Sequence, residues 1–380
     1  MDDAIDLTPF PVVDAHIHAP LREFPSTLDD YRWQWYEGRP EYAELVTGLT
    51  AYRWAMHELH APLGCDDTEA AVVAAVAARE PRRWLRETLE RERVEGLVLD
   101  TGYPRPESVF SAAELEDAGG VPVAPLLRIE HRAGELASSA SSFADFLERF
   151  DAAVAGARGA GYAGLKSVIA YRSGLGVGRP GREQAEEAFG RETKSTARGS
   201  LRLTEKHLLD FLLVRSLETA RREELPFQLH TGYGDRDIDL RAANPLELRP
   251  LLESDEARGV SLVLLHGAYP YTREAAWLAA VYPNVYLDVA TCIPPLGWSA
   301  LVETWRVALA VAPLTRIHAS SDAAGLVEHI GLGARRARAT LGVALEELRH
   351  TGSLSATEVE EAAVAILAGT AGRLYFGSQA

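Results

Sequence analysis

Short, almost wholly apolar runs recur along the chain and are separated by longer segments with one apolar face. The runs are Val12–His18, Gly96–Thr101, Val121–Ile129, Ala163–Ala170, Pro226–His230, Ser261–His266, Val285–Ala290 and Ile317–Asp322. Runs this short and continuous predict strands buried on both faces, as in a parallel sheet. Between them lie Phe143–Gly156, Glu205–Glu224, Arg273–Tyr282 and Ser299–Val311, whose apolar positions recur with helical spacing. Strands alternating with helices predict an α/β fold, and eight strands suit a closed (β/α)8 TIM barrel.

The chain has 380 residues, whereas that barrel commonly needs about 250. The surplus falls into definite places. Residues 1–11 read as an N-terminal tail and 12–330 as the barrel. Residues 19–92, with Trp33, Trp35, Trp54 and Trp84, read as a mostly helical cap inserted after the first strand. Gly174–Gly199 is rich in glycine and charge and reads as a mobile loop or lid. Residues 331–380 read as helices closing the same domain, with Ser355 and Glu358 spaced as a capping box for the last one.

Composition removes several function classes. Lys+Arg total 39 against 55 for Asp+Glu, a net charge of −16. Such a chain has no cationic surplus for a phosphate backbone and is repelled by anionic lipid, so neither nucleic acid nor a membrane is an expected partner. The longest apolar stretches are too short to span a bilayer, and the acidic N-terminus has no apolar leader-like region. Cys65 and Cys292 are isolated thiols, which suits a reducing, cytoplasmic compartment. A small-molecule substrate and a homo-oligomer are the expected partners.

The candidate chemistry sits at the ends of the predicted strands. In Val12-Val13-Asp14-Ala15-His16-Ile17-His18, the period-two alternation of a strand puts Asp14, His16 and His18 on one face. Paired imidazoles at the C-terminal end of a barrel strand make apt metal ligands, and active sites in this fold lie at that end. Two more runs end in histidine, His230 and His266, and the last ends in Asp322. Grouping so many polar groups at apolar strand ends is costly unless a metal or hydrogen bonds satisfy them. Lys166 lies within the fourth run and is one of only three lysines, with Lys194 and Lys206. A neutral lysine amine can react with CO2 to give an anionic carbamate ligand, which an arginine cannot do. His57 and His60 stand one helical turn apart in the cap, but no third ligand is evident near them in sequence, so they read as cap surface or packing.

These segments carry a resemblance. Asp14-Ala15-His16-Ile17-His18, Leu165–Leu175, Gln228–Asp235, Leu265–Pro270, Asn284–Asp288, Ser321-Asp322-Ala323 and Gly372–Tyr375, taken in order, resemble the amidohydrolase superfamily. The similarity is to the branch of TIM-barrel hydrolases that includes the amidohydrolase-like domain fused to glutamine synthetase in some fungal and plant proteins. The resemblance implies two divalent metals, zinc first, with iron or manganese as alternatives. It assigns His16, His18 and Asp322 to one, His230 and His266 to the other, and a carboxylated Lys166 as the bridge. The implied reaction is attack of metal-activated hydroxide on a C–N or ester carbonyl of a small, carboxylate-bearing substrate, with Asp322 carrying the proton. Tyr171, Arg172, Tyr233, Tyr269 and Asp288 are the substrate-positioning candidates, and the guanidinium of Arg172 suits a carboxylate. Arg128 and Glu130 rank below them, and His318 is a supporting residue. Three other readings stay open: a non-oxidative decarboxylase, a non-haem di-iron oxygenase on the same ligands, and a metal-free binding module.

Overall fold

The computed structural model describes residues 4–25, 27–104, 106–195, 202–293 and 295–377. Strands and helices alternate along the chain in the α/β manner of a TIM barrel, with nine strands among the described residues. In chain order these are β1 (Val12–Pro20), β2 (Val94–Asp100), β3 (Val123–Arg128), β4 (Gly164–Ser167), β5 (Phe227–Leu229), β6 (Leu262–Leu264), β7 (Val285–Ala290), β8 (Ile317–Ser320) and β9 (Ala323–Gly325). The eight expected strands are all present, and β9 is an addition. Two compact units divide the chain: Met1–Val123 with Gly234–Arg236 and Asp288–Ala380, and Ala124–Tyr233 with Asp237–Leu287.

In the first unit β1 pairs in parallel with β2 on one side and with β9 on the other. The register sets Val13 beside Gly96, His18 beside Asp100 and Ile17 beside Ala323. A register shift between Asp14 and Ile17 marks an irregularity where the polar residues cluster. The cap segment holds the helices Leu28–Trp33, Thr50–Leu63, Glu69–Ala77 and Pro81–Arg91. Two of them are fastened to one buried carboxylate on the helix Val327–His350. Glu328 accepts hydrogen bonds from the Tyr31 hydroxyl at 2.9 Å and from Trp84 Nε1 at 3.3 Å. Burial raises the Glu328 carboxyl above its ordinary range.

In the second unit β3, β4, β5, β6 and the start of β7 pair in parallel, in that order. One lateral row runs through Arg128, Lys166, Gln228, Val263 and Tyr286. The helices Phe143–Ala155 and Lys206–Arg222 follow the amphipathic pattern closely, the first with Phe143, Phe146, Leu147 and Phe150 buried.

The structure departs from expectation in three places. The strands β5, β6 and β8 end before the polar residue that closes each apolar run, and β4 stops at Ser167, because the chain turns out of the sheet there. The stretch Gly174–Gly199 is largely helical, not a loop: Arg182–Ser195 is a helix with Ala185, Ala188 and Phe189 buried. Its last four residues, 196–199, lie outside the described residues. The C-terminal closure begins earlier than expected, with the 24-residue helix Val327–His350, and the Ser355–Glu358 capping box forms as the spacing predicts. No helix among the described residues is long and apolar enough to cross a membrane.

His329 supplies a measurable consequence of this packing. Its ring is 3% exposed and stands edge-on to Trp35 at 4.1 Å, and Nδ1 donates to the Ala324 carbonyl at 2.9 Å. Burial disfavours the imidazolium and takes the pKa from 6.5 down to about 4. Between those values the unfolded chain binds the proton and the folded chain does not, so stability falls as pH falls through that window. By pH 5 this residue alone costs about 2 kcal/mol relative to neutral pH. Urea unfolding at pH 7 and pH 5 is expected to show a smaller loss for His329→Gln than for the parent. Equal losses would refute the assignment.

Candidate metal centre

The site in the first unit starts from β1. His16 is fully buried, and the side chain of His18 is 15% exposed. Their rings stand edge-on, with centroids 5.1 Å apart. Asp322, far along the chain, meets both: His16 Nε2 lies 3.6 Å and His18 Nε2 3.8 Å from its Oδ1. One ligand atom from each of the three lies within 4.8 Å of the others. Around a tetrahedral zinc, donors about 2.0–2.1 Å from the ion stand about 3.3 Å apart. Two imidazoles and a carboxylate at these separations fit a divalent ion, and they need only small movements to close on one.

The backbone around Asp322 explains why its side chain arrives there. Its own N–H donates to the His16 carbonyl at 3.0 Å, and the Ser321 N–H donates to Asp14 Oδ1 at 2.8 Å. Asp322 adopts a left-handed φ of 57°, which aspartate tolerates better than most residues. Asp14 is 1% exposed, and burial pushes its carboxyl up to about 7, against the pull of its Ser321 hydrogen bonds. On the far side of His18, Asp100 Oδ2 lies 4.0 Å from Nδ1, and the Tyr103 ring stands edge-on at 5.5 Å. Asp100 closes an apolar strand as His230 and His266 close theirs, so the same signal pointed to it and was not taken up.

The second unit gathers its own group. His230 Nε2 donates to the Tyr233 carbonyl at 3.0 Å, since a carbonyl can only accept. Its Nδ1 faces His266 Nε2 at 3.0 Å. Two nitrogens about 2.9 Å apart can bind one ion at right angles, and fixing a ligand tautomer through a backbone carbonyl is a common support in metal sites. His266 itself has φ 65°, and Gly267 and Ala268 follow with φ 59° and 47°, so the chain leaves β6 through three successive left-handed residues. Gly232, at φ 67°, passes so near this turn that a Cβ there would meet the Ala268 carbonyl carbon at 2.3 Å. Lys166 is 1% exposed in the middle of β4, one strand from β5.

The remaining residues divide by what they touch. The Tyr171 ring lies 4.5 Å from that of His230. It is held by the short turn Ile169–Tyr171, whose entry is pinned by Glu130: Ser167 Oγ donates to Oε1 at 2.5 Å and Val168 N to Oε2 at 3.1 Å. Tyr233 and Tyr269 are joined through the backbone, N to O at 2.6 Å. Arg172 is partly buried, with Arg128 and Arg202 close enough that their charge and its own desolvation lower its pKa. Its Nε has no hydrogen-bond partner among the described residues. Asp288 is fully buried, accepting from Ser320 Oγ at 3.0 Å and lying 3.2 Å from His318 Nδ1. The cap supplies another acid, half-buried, that sequence patterning did not single out. Glu37 is raised to about 7 by burial and by the neighbouring charge of Asp235.

Comparison with known proteins follows from this geometry. A family model described as amidohydrolase matches residues 13–377. The chain belongs to the amidohydrolase family. Protein fluG of Emericella nidulans is 36% identical over 220 residues, which is 56% of this chain and 25% of that protein. The aligned part is thus about a quarter of that relative's length. A Lactobacillus casei protein described as a metal-dependent hydrolase superposes with a TM-score of 0.88 at 28% identity, covering 98% of both chains. The uronate isomerase of Thermotoga maritima superposes with a TM-score of 0.70 at 14% identity, over 99% of this chain and 96% of its own, a likeness of fold. For an amidohydrolase a divalent metal is the expected cofactor, and the His16–His18–Asp322 group offers it donors.

A glycine inside the long C-terminal helix protects the Asp322 turn. A Cβ on Gly333 would lie 2.3 Å from Ser321 Cβ and 2.9 Å from its Cα, and the Thr291 hydroxyl lies between the Gly333 and Ser320 carbonyls at 2.8 and 3.0 Å. Glycine to alanine within a helix ordinarily stabilises by about 1 kcal/mol. Here the overpacking cost, typically about 1–3 kcal/mol, opposes and exceeds it. Gly333→Ala is therefore expected to lower the melting temperature and to weaken metal retention, measured by thermal unfolding and elemental analysis. A stabilised variant with full metal content would overturn this reading.

Proposed function

We propose that this amidohydrolase hydrolyses a C–N or ester bond in a small substrate that carries a carboxylate. The observation that carries the reading is the convergence of His16, His18 and Asp322, with one donor atom of each within 4.8 Å of the others. These residues would hold one divalent ion, zinc in the first instance, with iron and manganese as alternatives. His230 and His266 would hold a second, joined by Lys166 as a carbamate. In forming it, the neutral Nζ bonds to the carbon of CO2 and releases a proton. When bound, a divalent ion acidifies a coordinated water and polarises a carbonyl oxygen.

The protein's own groups then do four things. Asp322, with its side chain 22% exposed and the rest of its residue tied to His16, takes the proton of the attacking water and returns it to the leaving group. Asp14, by accepting from the Ser321 N–H, ties down the turn that carries Asp322, which limits reorganisation of that residue during the reaction. The desolvated guanidinium of Arg172, with Arg128 and Arg202 nearby, favours an anionic partner, which supports a substrate carboxylate. Tyr171 packs beside His230 and narrows the space next to it.

Elemental analysis of protein purified without added metal tests the ligand set. Asp322→Ala and Lys166→Ala are each expected to lose one metal per chain, and Asp322→Ala to lose about 10²–10⁴-fold in turnover. Full metal content in Asp322→Ala would sink the assignment. The reaction type is tested by turnover in 18O-labelled water across a panel of amides and esters with and without a carboxylate. Label in the product acid is expected; product formed with no label, as in decarboxylation, would refute hydrolysis. Two irons with oxygen-dependent turnover would do the same.

A further inference from the structure

We infer that the cap carries a separate surface site for a transition-metal dication, built from His57, His60 and Asp67. Sequence spacing alone set this pair aside for lack of a third ligand, and the fold supplies one. His57 and His60 stand one turn apart on the helix Thr50–Leu63, so both imidazoles leave the same face. The helix ends at Gly64 in the left-handed conformation that L side chains rarely adopt, φ 68°. There the Gly64 and Cys65 N–H groups close back on the Ala61 and His60 carbonyls, each at 3.1 Å. The next helix opens almost at once, with Thr68 as its cap accepting from Ala71 N at 3.3 Å. Asp67 is thus pinned between one helix end and the next helix start, and its carboxylate is folded back over the two histidines.

The donor geometry suits an ion. His57 Nδ1 lies 2.6 Å from Asp67 Oδ2, and His60 Nδ1 lies 3.9 Å from Oδ1 of the same carboxylate. One atom from each residue lies within 4.8 Å of the others. Asp67 partners Nδ1 of His57 and the His57 carbonyl partners Nδ1 of His60, so it is the second nitrogen of each ring that stays available to an ion. Two imidazolium ions facing one carboxylate a turn apart would repel each other. Two neutral rings sharing a dication with that carboxylate would not. His60 Nδ1 donates to the His57 carbonyl, which orients its ring and leaves Nε2 as its ligand atom.

The surroundings leave room for the rest of a coordination shell. The side chains of His57, His60 and Asp67 are 65%, 33% and 47% exposed, so an ion can enter directly from solvent. A groove of about 400 Å³ lies alongside, lined by His57, His60, Glu58, Arg91 and Arg335. Two imidazoles and one carboxylate select zinc, nickel, cobalt or copper over magnesium or calcium, which prefer oxygen donors throughout. The open positions would be filled by water.

The experiment counts metals in the intact enzyme, with Zn2+ as the probe. Parent, His57→Ala and Asp67→Asn proteins are equilibrated with zinc at neutral pH, freed of unbound ion and analysed; metals held at His16, His18 and Asp322 contribute equally to all three and cancel. The parent is expected to hold one more zinc per chain than either variant. In calorimetric titration that additional zinc is expected to bind at least tenfold more tightly in the parent, and excess Mg2+ is expected not to displace it. Both substitutions are on exposed side chains outside the reaction machinery, so turnover is expected to be unchanged. Equal zinc content in parent and variants, or displacement by magnesium, would overturn the site.

Discussion

A carboxylate buried near the start of the chain holds the arrangement together. Asp14 is 1% exposed in β1 and accepts a hydrogen bond from the backbone of Ser321, a residue 307 positions away. An isolated carboxylate so deeply buried would be costly, and the backbone donor offsets that cost. The same stitch, together with the Asp322 N–H on the His16 carbonyl, carries the Asp322 side chain to the two histidines of β1. Loss of either hydrogen bond would release a turn that is itself strained.

That strain recurs where chemistry is expected. Asp322, His266 and Ala268 all have left-handed φ values, between 47° and 65°. Each costs roughly 1–2 kcal/mol relative to an ordinary helical or extended residue, and such strain persists only where surrounding structure over-determines it. The supports are visible: Gly333 and Gly232 allow backbone to approach these turns more closely than a Cβ would permit. In both units the strand stops, the chain swings into the left-handed region, and the polar side chain is redirected. A straight continuation of the strand would have aimed alternate side chains away from their partners.

Much of this was legible from patterning. Every predicted strand exists, because an unbroken apolar run in an otherwise polar chain has few places to go except between layers of helix. The ligand candidates on β1 were legible because strand alternation is strictly two-fold and puts His16 and His18 on one face. The helix at Arg182–Ser195 was not, since its mean pattern is polar and only Ala185, Ala188 and Phe189 anchor it inward. Asp100 escaped, and Glu130 ranked low, for a different reason. A charged residue at the end of an apolar run looks the same in sequence whether it faces a histidine or pins a backbone turn.

Local sequence therefore determined the strands, most of the helices, the paired imidazoles of β1 and the capping of the last helix, all of which depend on neighbours a few residues apart. Tertiary structure alone decided which distant carboxylate reaches which histidine. Asp322 joins His16 and His18, and Asp67 folds back on His57 and His60, although the first partnership spans most of the chain and the second only a helix end. Short-range propensity has no access to either choice, because both are set by backbone turns whose φ values are stabilised by groups brought together only on folding.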